Sequence, residues 1–153
     1  DPIPSRGLGD VYKRQIEHLA WLGRIISTND LSRREALSVA FSAIEDYESE
    51  LCWSMIQGLQ EIDGLKIWGV TDPSMKKHRA PTVSFTHPSM TAEQIGAKLA
   101  GEGIFAWAGN FYALELSESL GLEPEGALRV GLLHYNTKEE VDRFIEVLNG
   151  ILV

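Results

Sequence analysis

Cysteine is nearly absent from this chain: Cys52 is the only one in 153 residues. A single thiol closes no internal disulfide and builds no cysteine metal cluster. The composition suits a reducing compartment, which points to the cytoplasm. Basic residues are in deficit, with 14 Lys and Arg against 22 Asp and Glu and a net charge of −8. An acidic surface repels a phosphate backbone, so no nucleic-acid partner is expected. No apolar run approaches the roughly 18 residues that span a bilayer. No basic run suggests a membrane patch, and no stretch has the charged start and apolar middle of a secretory signal. A glycine-rich phosphate loop is also missing, because Gly101-Glu102-Gly103 lacks the third glycine and helix start of a dinucleotide fingerprint. His18, His78 and His87 have no Asp, Cys or His at ligand spacing, so no metal site is expected.

What is present is the composition of one ordinary globular domain, 44% hydrophobic and 24% charged, long enough to bury a core without cross-links. Residues 1–15, DPIPSRGLGDVYKRQ, carry two prolines and two glycines without helical or strand period. They read as either a stray translated leader or a disordered native tail, and the ordered protein is expected to span 16–153. From Ile16 a short helix should end near Gly23 or shortly after. Ser32 and Glu35 have capping-box spacing. A long helix should follow, with Leu37, Phe41, Ile44, Tyr47, Leu51, Met55, Leu59 and Ile62 in one apolar stripe and a stop at Asp63-Gly64.

The rest alternates short strands and helices. LKIWGV is a strand candidate, TDPSMKKHRAP a loop, and TVSFTH a strand with Val83 and Phe85 inward. Thr91 and Gln94 form a second capping box for a helix ending near Gly101 or Gly103. IFAW is a short strand candidate, and NFYALELSESLG a short helix ending at Gly121. ALRVGLL alternates, with Leu128, Val130 and Leu132 on one face and Arg129 on the other. Thr137 and Glu140 make a third capping box, and Val141, Phe144, Ile145, Leu148 and Ile151 mark the last helix. This order predicts an α+β fold: a small, mostly antiparallel sheet with helices on one face, preceded by a long helix.

Three stretches, in order, resemble the class V aminotransferase and cysteine desulfurase-like family. RAPTVSF at 79–85 resembles the strand opening that family's small carboxy-terminal domain. GIFAWAGNFYALEL at 103–116 resembles its active-site segment. RVGLLHYNTKEEVD at 129–142 resembles its Arg-strand, Tyr-Asn-Thr turn and last helix. The similarity covers about residues 16–153. It implies the carboxy-terminal small domain of a pyridoxal-phosphate enzyme acting on an amino-acid substrate, with a large amino-terminal domain missing from this chain and a homodimeric parent. In the family the cofactor forms a Schiff base with a large-domain lysine, beside an Asp and a stacking His. Lys66, Lys76, Lys77, Lys98 and Lys138 fall in no matching motif, so the fragment alone is expected to be inactive.

The same resemblance names candidate substrate-binding residues. Arg129 matches the arginine that clamps the substrate α-carboxylate, a task suited to the planar two-pronged guanidinium; the plain alternative is a strand arginine in a surface ion pair. Asn110 and Tyr112 lie in the active-site segment. Aligned on Gly103 and Gly109, the family's persulfide-forming cysteine falls on Tyr112, which cannot form a persulfide, so desulfurase chemistry is put in doubt. Tyr112 otherwise packs in the core. His134 is either a polar contact at the substrate end or a turn histidine bonded to backbone. Cys52 is expected to be a small buried hydrophobe, and Trp53 and Trp107 core or interface residues. The rival to a catalytic origin is a free-standing α+β binding module without chemistry.

Overall fold

The computed structural model describes residues 6–27 and 29–153. The first five residues of the expected leader lie outside the described residues, as does Thr28. The chain divides into two compact units, one reaching to Tyr47 and the other running from Glu48 to Val153.

The first unit is helical. α1 covers Arg6–Ser27, and α2 covers Arg33–Gln60, contributing its first half here. α1 therefore begins ten residues before Ile16 and ends four beyond Gly23; its start showed no apolar period, yet its backbone is helical from Arg6 onward. Small residues set how α1 meets α2. Ala20 and Ala36 are fully buried, and a Cβ at Gly23 would fall 1.8 Å from the Ala36 carbonyl oxygen. Ser32 opens α2 as expected: its N–H donates to Glu35 Oε2 at 2.9 Å, and Glu35 N–H donates to Ser32 Oγ at 3.4 Å. Phe41 and Tyr47, placed in the apolar stripe by their spacing, are exposed.

The second unit is the α+β body. Its strands are β1 (Lys66–Trp68), β2 (Thr82–Thr86), β3 (Trp107–Gly109) and β4 (Ala127–Gly131). They pair antiparallel in the order β1-β2-β4-β3. Three helices follow the first pair: α3 (Ala92–Gly101), α4 (Leu114–Ser119) and α5 (Lys138–Leu152). A 3-10 helix at Pro73–His78 interrupts the stretch expected to be loop, capped by Asp72, which accepts from Ser74 N–H.

Alternation along the strands decides the two faces. Val83, Phe85 and Leu128 are fully buried and join Leu51, Cys52, Met55, Ile56 and Leu59 of α2, Ile95 and Leu99 of α3, and Val141, Phe144 and Leu148 of α5 in one cluster. The helices thus cover one sheet face, and the α2–α5 approach is close: a Cβ at Gly58 would lie 2.8 Å from Ile145 Cγ1. The expected inward residues Leu128, Val130 and Leu132 all belong to this core or pack against it. Trp53 packs against it as well. The exception to one-sided cover is six-residue α4, whose residues share a cavity with Trp68, Ser84 and Ala127 of the other face. β3 begins at Trp107 rather than at Ile104, because Gly103 (φ 73°) turns the chain out of α3 and Ile104 packs into the core before pairing starts.

Two helix starts in this unit, those of α3 and α5, carry the boxes read from the sequence. Thr91 and Gln94 satisfy each other's backbone at α3, as do Thr137 and Glu140 at α5. At α5 the Thr137 N–H donates to Glu140 Oε2 at 2.9 Å, and Asn136 Nδ2 donates to the same oxygen at 3.1 Å. These donors hold the Glu140 carboxyl below its usual 4.5. Folding therefore favours the ionised form, so this stabilisation is complete above pH 4.5 and disappears as pH falls through the depressed folded value. Glu140→Gln keeps an acceptor but does not titrate. The gap in thermal midpoint between wild type and variant should be present near pH 7 and narrow as pH falls below 4.5; a gap that stays constant on acidification would contradict the assignment.

Candidate substrate-carboxylate site

The sheet face opposite α2, α3 and α5 carries a row of four side chains. Cross-strand partners share a face, and the register pairs Trp68 with Ser84, Ser84 with Arg129, and Arg129 with Trp107. One line of side chains, Trp68–Ser84–Arg129–Trp107, therefore crosses all four strands. Lys66 and Thr86 form the next pair on this face. Trp68 Nε1 donates to Thr86 Oγ1 at 2.9 Å, and Lys66 Nζ lies 3.6 Å from the Trp68 ring centroid.

Arg129 is the only charge in that row. Its guanidinium carbon lies 4.2 Å from the Phe111 ring centroid and 5.7 Å from that of Trp107. Cation–π contacts of this kind are worth about 0.5–2 kcal/mol each, enough to favour one orientation. Among the described residues the Arg129 side chain makes no salt bridge and no hydrogen bond. The surface ion pair that would make it an ordinary strand arginine is absent. Two rings hold the guanidinium while its N–H donors stay unspent, which is the state of a group prepared for a planar anion.

Phe111 reaches Arg129 because of an unusual turn after β3. Phe111 and Tyr112 are consecutive non-glycine residues with φ of 56° and 63°. Each left-handed residue of this kind costs on the order of 1–3 kcal/mol. Asn110 offsets part of that cost, since its Oδ1 accepts from Tyr112 N–H at 3.2 Å and its carbonyl from Ala113 N–H at 2.9 Å. Gly109 and Gly126 let two backbones touch behind the turn: a Cβ at Gly126 would sit 2.4 Å from the Gly109 carbonyl carbon and oxygen.

The structure treats the four expected residues differently. Arg129 and Asn110 come together through Phe111. Tyr112 is 96% exposed, so the expectation of core packing is overturned; the left-handed turn directs it outward. His134 lies beyond the end of β4, with Nδ1 3.9 Å from Glu48 Oε1 and its ring edge-on to Tyr135. Its partners thus include a carboxylate and a ring. Trp107 is 59% exposed, and with Phe111 and Ser84 it belongs to the site although sequence reading assigned it no such role. The signal was available only through register, which puts position 107 opposite 129.

Cys52 is sealed in the core at 1% exposure. Burial pushes its thiol pKa up, partly opposed by the nearby Arg79 guanidinium. Among the described residues no three His, Cys, Asp or Glu come together to hold a metal ion, and no helix is long and apolar enough to cross a membrane.

Residues 34–144 match the family described as aminotransferase class-V, and the chain belongs to that family. Among curated relatives, the aminotransferase-like protein FGM3 of Gibberella zeae is 35% identical over 115 residues, covering 73% of this chain and 28% of that protein. Probable cysteine desulfurase 2 of Mycobacterium leprae is 32% identical over 108 residues, covering 71% and 25%. Among solved structures, the apo cysteine desulfurase of Thermococcus onnurineus NA1 superposes with a TM-score of 0.68 at 28% identity, covering 78% of this chain and 28% of that one. The chain thus spans about a quarter of the length of the relatives it matches.

Members of this family typically use pyridoxal phosphate, which requires an amine, an acid for the ring nitrogen and a phosphate cradle. The open face supplies none of these as a set. Lys66 is engaged over Trp68, Lys76 is paired with Glu50 at 2.5 Å and Lys138 with Asp142 at 2.6 Å. No acidic residue stands in the row with Arg129. The unspent guanidinium of Arg129 suits a planar anion, and these residues do not fit the cofactor.

Gly126→Ala should therefore act on this site first. The added methyl meets Gly109 backbone at a φ of 67°, so a loss of at least about 2 kcal/mol is expected, with shifted Trp107 and Phe111 resonances. An unchanged urea midpoint would remove the close approach from the account.

Proposed function

We propose that this chain is the carboxy-terminal, carboxylate-binding part of a pyridoxal-phosphate-dependent enzyme that acts on an amino acid, and that it is inactive by itself. The observation that carries the proposal is Arg129: a guanidinium clasped by Phe111 and Trp107 on the sheet face opposite α2, α3 and α5, with no anionic partner among the described residues. The position also resembles the family's carboxylate clamp. Arg129 would bind and orient the substrate carboxylate through two parallel N–H donors. Amine, ring acid and phosphate cradle would come from a large domain corresponding to the remaining length of the relatives.

The reaction favoured is an aminotransferase or lyase type rather than sulfur transfer. Tyr112 stands where the desulfurase pattern has its cysteine. The chain's single thiol is buried with its pKa raised, so it offers neither thiolate nor access. Support for a dimeric parent comes from the apolar groups left outside on the 103–116 segment, where Phe105 is 86% exposed beside Trp107 and Leu114. A free-standing binding module has no observation of its own in its favour.

Titration with L-alanine, followed by NMR on the side chains of Arg129, Phe111 and Trp107, tests the clamp. Saturable shifts are expected in the wild type. Arg129→Lys should weaken binding by about tenfold, the loss of one charged hydrogen bond, and Arg129→Gln should abolish it. Equal shifts in wild type and Arg129→Gln would defeat the proposal.

A further inference from the structure

Beside Arg129, on the same sheet face, lies a cavity of about 380 Å³, within the range of about 300–1,000 Å³ typical of small-ligand sites. Its floor is Ser84, the cross-strand partner of Arg129, and Ala127, two residues along β4. One wall is Trp68, another is Phe111, whose ring holds the guanidinium, and the roof is Leu116 of α4 and Leu120 just past its end. The lining is thus mostly aromatic and aliphatic. Three polar residues interrupt it, Ser84, Asn110 and Ser117, and Ser117 is only 6% exposed.

The geometry points to a substrate-specificity pocket: the amino acid whose carboxylate meets Arg129 has a bulky, largely apolar side chain of aromatic size, which enters the cavity under α4 with any polar edge toward Ser117. The inference rests on the proposed carboxylate clamp and adds the substrate class. Charge and shape argue together for this occupant. The cavity is apolar, while the unpaired cation stands next to it across a shared wall, so a molecule with an apolar body and one terminal anion satisfies both. A small polar side chain such as that of cysteine would leave most of the volume unfilled. Phe111 is the coupling element, since the turn that clasps the guanidinium also shapes the cavity.

The test uses the 153-residue chain and two simple carboxylates, propionate and 3-phenylpropionate, with binding read from NMR shifts at Arg129 and at the Leu116 and Leu120 methyls. The aromatic acid should bind at least about tenfold more tightly and shift the α4 methyls, which propionate should not. Leu116→Trp places an indole in the roof of the cavity. It should erase the aromatic advantage while leaving propionate binding and the far-ultraviolet spectrum unchanged. Ala113→Phe, at the α4 entry, provides a second filling variant with the same expected outcome should Leu116→Trp perturb the fold. Equal affinities for both acids, each lost in Arg129→Gln, would overturn the pocket and leave the clamp standing. Aromatic-acid binding that survives Arg129→Gln but not Leu116→Trp would uphold the pocket and defeat the clamp. Binding of neither acid, or their exclusion by self-association through this face, would overturn both.

Discussion

The antiparallel register of β2 against β4 is the constraint on which the rest of this structure depends. Val83 opposes Val130 and Phe85 opposes Leu128 on the helix side, while Ser84 opposes Arg129 on the other. A slip of one residue would reverse every side chain. It would drive the Arg129 guanidinium into the cluster around Phe85 and Leu128 and expose those side chains to water. Burying an unpaired charge costs far more than any surface contact could return, so packing and electrostatics enforce a single alignment. The same alignment brings Trp107 beside Arg129, because β3 takes its register from β4.

Position and readiness of the arginine come from different parts of the molecule. The core holds β4 in place through Leu128, against helices α3 and α5. Readiness comes from the irregular turn at 110–112, where two left-handed residues put the Phe111 ring over the guanidinium. That turn is supported by the Asn110 side chain and by the backbone contact that only glycine permits at 126. Strain accumulated beside an unpaired cation is the pattern expected of a binding site rather than of a structural corner. Sealing Cys52 in the core, away from this face, separates the chain's one thiol from the chemistry that its desulfurase relatives are named for.

Much of the scaffold was readable in the chain itself, for reasons that are local. Capping boxes at Ser32, Thr91 and Thr137 depend on residues three apart, and all three formed. Strand alternation identified Val83, Phe85 and Leu128 as core because period two is a property of the strand alone. The readings that failed concern short or nonlocal features. β3 began later than its apolar letters suggested, since pairing with β4 rather than composition decides where it starts. Tyr112 was expected inside, because nothing in its neighbours signals two successive left-handed residues. Phe41 and Tyr47 kept helical spacing with the stripe yet remain exposed.

Sequence by itself determined the starts of α2, α3 and α5, the inward residues of the sheet, the α+β class and the presence of a lone strand arginine within a family pattern. These follow from spacings of two, three and four residues, which act within a single element. Tertiary structure alone decided that Arg129 stands unpaired between Phe111 and Trp107, that α4 closes a cavity against Ser84 and Trp68, and that Tyr112 faces water. Each of those joins residues from different strands or from opposite ends of a turn. Their distances are set by register and backbone handedness, quantities that no local pattern of side chains encodes.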